Sequence, residues 1–181
     1  MKIAVYCSSA ENLPESWVEC ARVVGRWIAS HGAQLVYGGV DAGLMKVTAQ
    51  ACKESGGKTV GVVPQRRMSK KSPLNDMYIP TTDLNERKSI MQLLADAFVV
   101  LPGGYGTLDE FATAFSYINF TGQQKKRIII FNPNGLYDHL LAQLDVMIER
   151  GLMSADRLEH IMAVNRVEDI ETALDLFAKN F

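Results

Sequence analysis

The stretch Ala97-Phe98-Val99-Val100-Leu101-Pro102-Gly103-Gly104-Tyr105-Gly106-Thr107-Leu108-Asp109-Glu110 runs from a hydrophobic strand through a glycine-rich turn into a helix. Residues 97–101 are apolar without alternation, the mark of a strand buried on both faces in a parallel sheet. Pro102 and three glycines break that run, and an amphipathic segment follows over residues 108–120. A strand–turn–helix unit of this kind is the repeating element of an α/β protein.

The same alternation extends in both directions. Strands are expected at residues 3–6, 35–37, 59–63, 78–80, 97–101, 127–131 and 162–164. Helices are expected from about Pro14 to just before Gly32, then over residues 44–55, 83–94, 108–120, 137–150 and 168–179. The pattern gives an α/β fold: a doubly wound, mainly parallel sheet flanked by helices, in one domain over residues 1–181. With 181 residues, 48% of them hydrophobic, the chain can fill one full core without a second domain.

A formal net charge of -1 provides no general field for nucleic acid or a membrane, so neither is expected as a partner, and any anion site must be local. Cys7, Cys20 and Cys52 lack CxxC spacing, and His31, His139 and His160 are scattered. No metal site or disulfide framework is expected, and the thiols suit a reducing, cytoplasmic setting. The apolar run at the N-terminus is too brief for a signal peptide or a membrane span.

Sheets of this class bind ligands in the crevice beyond the carboxyl ends of their strands, where the strand order reverses. That rule selects the loops at residues 7–9, 37–43, 64–67 and 102–107. In the last of these, a helix beginning near Thr107 would aim free N–H groups and its positive dipole end into the glycine loop, which suits a phosphate. Glu110 would lie one turn inside that helix, about 4.5 Å along its axis. Thr107 and Glu110 also match a capping box, a purely structural use of the same residues. Gly38 and Gly39 form a second glycine turn, which suits tight helix–strand packing as well as phosphate contact. Neither loop carries the dinucleotide fingerprint or the P-loop lysine. Ser8 and Ser9 read mainly as turn residues, and the basic run at residues 66–71 as an exposed loop.

The residues Tyr37-Gly38-Gly39, Gly43-Leu44-Met45, Gly61-Val62-Val63-Pro64, Glu86-Arg87-Lys88, Met91, and Asp96 through Glu110 resemble, in order, the LOG family of cytokinin riboside 5′-monophosphate phosphoribohydrolases, often labelled lysine decarboxylases. The resemblance implies a Rossmann-like fold, commonly dimeric, that needs no cofactor. It also implies hydrolysis of a nucleoside 5′-monophosphate, AMP or an N6-prenylated AMP, to free base and ribose 5-phosphate. By position it places catalytic roles on Arg87 and Glu110. It places substrate contacts on Lys88, on Gly103, Gly104, Tyr105, Gly106, Thr107, Leu108 and Asp109, and on Ser116, with Gly38 and Gly39 as further candidates. Val40 and Lys46 stand where the family commonly has glycine, and the run from Arg66 to Lys71 is basic where plant-type members carry an acidic residue. Those departures bear on the preferred base.

Chemistry read from the residues agrees. Breaking a ribosyl C–N bond builds positive charge on the sugar, which a carboxylate stabilises while directing water or attacking directly. In a first helical turn Glu110 is expected to stay ionised. Phosphate and Glu110 would repel, and Arg87 with Lys88 supplies the opposing charge. Phe111, Phe115 and Ile118 share one helix face as core, and the surplus Phe120 points to a partner surface, which together with the dimeric habit implied by the resemblance suggests a homodimer. A non-catalytic nucleotide or molybdenum-cofactor carrier of similar fold is the alternative, although it gives Arg87 and Glu110 no reason to occur together. A pyridoxal-phosphate decarboxylase fits poorly, because no lysine has identifiable supporting residues.

Overall fold

The computed structural model describes residues 1–123 and 125–179. Seven strands, β1 (Lys2–Tyr6), β2 (Gln34–Tyr37), β3 (Lys58–Pro64), β4 (Met77–Thr81), β5 (Ala97–Val100), β6 (Arg127–Phe131) and β7 (Ile161–Val164), form one sheet in the order β4-β3-β2-β1-β5-β6-β7. Every pairing is parallel. Six helices connect them: α1 (Glu15–Ser30), α2 (Gly43–Glu54), α3 (Leu84–Leu94), α4 (Tyr105–Thr121), α5 (Asp138–Glu149) and α6 (Val167–Lys179). None is long and apolar enough to cross a membrane among the described residues.

Alternate strand side chains feed two cores. Ile3, Val5, Leu35, Val99 and Phe131 meet α1, α2 and α6, while Ala4, Tyr6, Val36, Phe98, Val100 and Ile130 meet α3, α4 and α5. Because both faces are covered, the strands carry the unbroken apolar runs that announced them. Element ends agree with the expected ones or differ by up to three residues. The largest shift is at α4, which begins at Tyr105 because extended Gly104 (φ −92°, ψ −158°), rather than Thr107, is its cap residue. Thr107 turns inward and is buried against Gly103, whose missing Cβ leaves room for it.

From β1 the chain builds outward to β2, β3 and β4 on one side, then crosses to β5, β6 and β7 on the other. The reversal falls between β1 and β5. Their carboxyl-end loops are tied together by the Ser8 amide, which donates to the Pro102 carbonyl at 3.0 Å.

On the opposite face from the site helices, α1 crosses α2 at Gly25. A Cβ there would run into the Thr48 carbonyl and come within 2.9 Å of the Ala51 methyl. Gly25→Val is therefore expected to destabilise the protein by about 1–3 kcal/mol through overpacking. Urea unfolding measures this, and an unchanged midpoint would mean the crossing has slack.

Candidate active site

The first turn of α3 is fixed by its own sequence. Asp83 accepts hydrogen bonds from the Asn85 and Glu86 amides at 2.8 and 2.9 Å, and Glu86 reaches back to the Thr82 amide at 2.6 Å. This double cap satisfies the free amides of the helix end and sets the rotation of α3. Arg87 and Lys88, in its second turn, face the switch point between β1 and β5.

Arg87 reaches Glu110 there, with Nη2 at 2.9 Å from Oε1 and side-chain exposures of 16% and 9%. The attraction is ionic rather than a well-aimed hydrogen bond, since Glu110 Oε1 and Arg87 Nε have no hydrogen-bond partner among the described residues. Lys88 Nζ sits on both oxygens of Asp109, at 2.8 and 2.7 Å. The two pairs floor a cleft of about 400 Å3 bounded by Ser8, Gly38, Arg67, Leu84 and the start of α4.

Glu110 departs from expectation. It is the sixth residue of α4 rather than part of the first turn, and it is buried. Burial pushes its carboxyl up to about 7, against the lowering effect of Arg87; Asp109 raises it further and Lys88 opposes. Desolvation thus outweighs the nearby guanidinium, and the group exchanges its proton near neutrality instead of remaining ionised. Nor does the capping box form: no side chain caps α4. The first amides of α4 are consequently left free beside Gly104 and Gly106, where a Cβ would meet open space. Such an end favours an anionic group.

Gly38, Arg87, Lys88, Gly104, Tyr105, Gly106, Thr107, Asp109 and Glu110 all line this cleft. Gly103, Leu108, Gly39 and Ser116 do not. Gly103 makes room for Thr107. Gly39, at φ +67°, lies where a Cβ would meet Val63 and come within 2.8 Å of Gly61 Cα, so its role is packing against β3. Ser116 opens onto a separate hollow with Phe120, Leu152 and Arg157. Gly38 has the opposite logic to Gly39: a Cβ there would collide with the Arg87 guanidinium and with Met45.

Some contributors were not singled out as site residues, although the strand-end rule selects the loops that hold Arg67 and Cys7. Arg67 joins the cleft from a short 3-10 helix, Gln65–Lys70, in a run that reads as ordinary surface charge. Tyr6, at the end of β1, buries a hydroxyl with no hydrogen-bond partner among the described residues, and burial raises its pKa, with the charges of Glu110 and Arg87 acting on it as well. The sequence marks it only as the end of the first strand. Cys7 lines the cleft but is buried, and burial pushes its thiol up. No group of three or more His, Cys, Asp or Glu side chains is arranged to hold a metal among the described residues.

A doubly wound parallel sheet with a charged cleft at its switch point is the architecture of a ligand-binding α/β protein. A family model described as "Possible lysine decarboxylase" matches residues 45–174. The chain is 37% identical over 169 residues to the cytokinin riboside 5′-monophosphate phosphoribohydrolase of Mycobacterium tuberculosis, covering 92% of this chain and 89% of that protein. It is 30% identical over 183 residues to the enzyme of that name, LOG, from Oryza sativa subsp. japonica, covering 99% and 75%. In fold it is similar to the molybdenum cofactor carrier protein of Chlamydomonas reinhardtii, with a TM-score of 0.77 at 24% identity over 98% of each chain. The chain belongs to the LOG family.

Lysine decarboxylation, the chemistry in the family model's description, runs on pyridoxal phosphate, and these residues do not fit that group. The lysine in the cleft, Lys88, is gripped by both oxygens of Asp109, whereas a Schiff base needs a free amine.

Because Arg87 lowers the Glu110 pKa, removing it has a fixed sign. Arg87→Ala is expected to move the Glu110 midpoint above about 7, and Gly38→Ala, by displacing the guanidinium, to move it in the same direction. A 13C carboxyl titration reads both, and a downward shift would contradict the pairing.

Proposed function

We propose that this protein hydrolyses the N-glycosidic bond of a purine nucleoside 5′-monophosphate, with AMP and N6-prenylated AMP as first candidates. Water adds across the bond: the hydroxyl goes to C1′ of ribose 5-phosphate and the proton to the departing base. The observation that carries the reading is the buried Arg87–Glu110 pair beside the uncapped start of α4. Phosphate on the α4 amides would set the ribose over Glu110, whose anion stabilises the positive charge that grows at C1′. Arg87 holds that carboxylate in place and limits its repulsion from the phosphate. The names of the relatives support the same activity. The proposal needs no cofactor, and the three buried free cysteines suit a cytoplasmic enzyme.

Incubation with a panel of nucleoside monophosphates is expected to release free base, detected by chromatography. Tight nucleotide binding without base release would favour a carrier instead. Glu110→Gln should fold and lose about 10²–10⁴-fold in rate. Since the ionised carboxylate is the working form, kcat/KM should rise with pH through a midpoint of about 7. That limb should vanish in Glu110→Gln; its persistence would assign the titration elsewhere.

A homodimer is part of the same reading. Phe120 is 95% exposed and Leu152 79% exposed beside the hollow that holds Ser116, and a second copy of this face of α4 would cover them. Light scattering at micromolar concentration is expected to show a dimer and Phe120→Asp a monomer. A monomeric wild-type protein would remove this part of the proposal.

A further inference from the structure

The glycine loop before α4 is held from behind by a residue outside the cleft. Tyr137, 3% exposed in the connection between β6 and α5, donates its hydroxyl to the Leu101 carbonyl at 2.9 Å. The Gly103 amide points at the same Tyr137 hydroxyl oxygen. One hydroxyl therefore spans both sides of Pro102, where the apolar strand turns into the loop. Burial raises the Tyr137 pKa to about 12, which keeps the donor proton in place throughout the neutral range.

Tyr137 is itself clamped. Asn132, also buried, accepts from the Tyr137 amide at 2.6 Å and donates to Asp138 at 2.8 Å, and its own amide donates to the Val164 carbonyl of β7 at 2.8 Å. The end of the sheet thus forms a fixed post. On the other side, Ser8 holds the Pro102 carbonyl. Beyond these two grips, nothing lies within 4 Å of where a Cβ of Gly104 or Gly106 would stand. Gly104 and Gly106 are thus held by no side chain of their own, and the loop before α4 is fixed at Leu101 to Gly103 on one side and by the buried Thr107 on the other.

We propose that Tyr137 is a positioning residue for the anion cradle: through Leu101 and Gly103 it aims the first amides of α4 at the phosphate of the substrate. The identity of that anion rests on the phosphoribohydrolase reading. Amide–phosphate bonds tolerate only small displacements, and a loop freed to move by about 1 Å loses much of its grip.

The test is Tyr137→Phe in the full chain, which keeps the ring and removes the oxygen. Affinities for ribose 5-phosphate and for adenosine are measured by calorimetry, with melting by circular dichroism and steady-state kinetics on AMP. Affinity for ribose 5-phosphate is expected to fall by about tenfold and KM to rise by the same factor, with kcat within about threefold and adenosine binding unchanged. Equal losses for ribose 5-phosphate and adenosine would mark a merely structural role and overturn the proposal, as would unchanged ribose 5-phosphate affinity. Should Tyr137→Phe fail to fold, the exposed Asp138→Ala, which releases Asn132, carries the test. A phosphate-selective loss in that variant supports the proposal, and unchanged phosphate affinity overturns it. Binding is read without turnover, so a wild-type protein that released no base would sink the hydrolase reading while the comparison of ribose 5-phosphate affinities still stood.

Discussion

A carboxylate buried next to a guanidinium at the mouth of an apolar layer is the constraint around which the site is organised. At 2.9 Å the attraction between Arg87 and Glu110 is large, yet the carboxyl pKa still rises to about 7 because lost hydration costs more than the pair regains. The sign has a consequence for stability. Between the unfolded value of 4.5 and the folded value of about 7, the native state holds a proton that the unfolded chain releases. Stability therefore falls as pH rises through that window and levels off above it. Around neutrality the fold keeps a group that opposes it, which is the usual signature of a side chain retained for chemistry.

The sheet topology explains why residues distant in sequence meet. Helices α3 and α4 precede and follow β5, and both lie on the face that Tyr6 and Phe98 present. Their facing turns converge beyond the ends of β1 and β5, where the order reverses and no crossover connection covers the strands. Glycines then tune the distances: Gly38 admits Arg87, and Gly103 admits Thr107. Neither needs to touch a ligand to be indispensable to the site.

Much of this was legible in the sequence because it depends on short-range rules. Doubly buried strands carry continuous apolar runs, and the helix expected over residues 83–94 lies within one residue of α3. Legibility ended where tertiary packing decides. Thr107 and Glu110 have capping-box spacing, but the inward turn of Thr107 hands the cap to Gly104, and burial beneath α3 lifts the pKa of Glu110 to about 7 where a fully ionised group is expected. Ser116, six residues after Glu110, lies about 240° around the same helix, so a position suggested by family resemblance falls on the far side of α4. Gly39 is separated from Gly38 by one peptide, and that is enough to turn it from the cleft to β3.

The two ion pairs of the cleft differ in what it costs to separate them. Lys88 is held by Asp109, whose side chain is 54% exposed and would simply be hydrated if its partner left. Arg87 is held by Glu110, and its departure would leave a buried carboxylate whose Oε1 has no hydrogen-bond partner among the described residues. Separating Lys88 from Asp109 therefore costs much less than separating Arg87 from Glu110. The two adjacent cations are about equally buried, at 16% and 12% exposure, so what divides the pairs is the burial of the carboxylates that hold them.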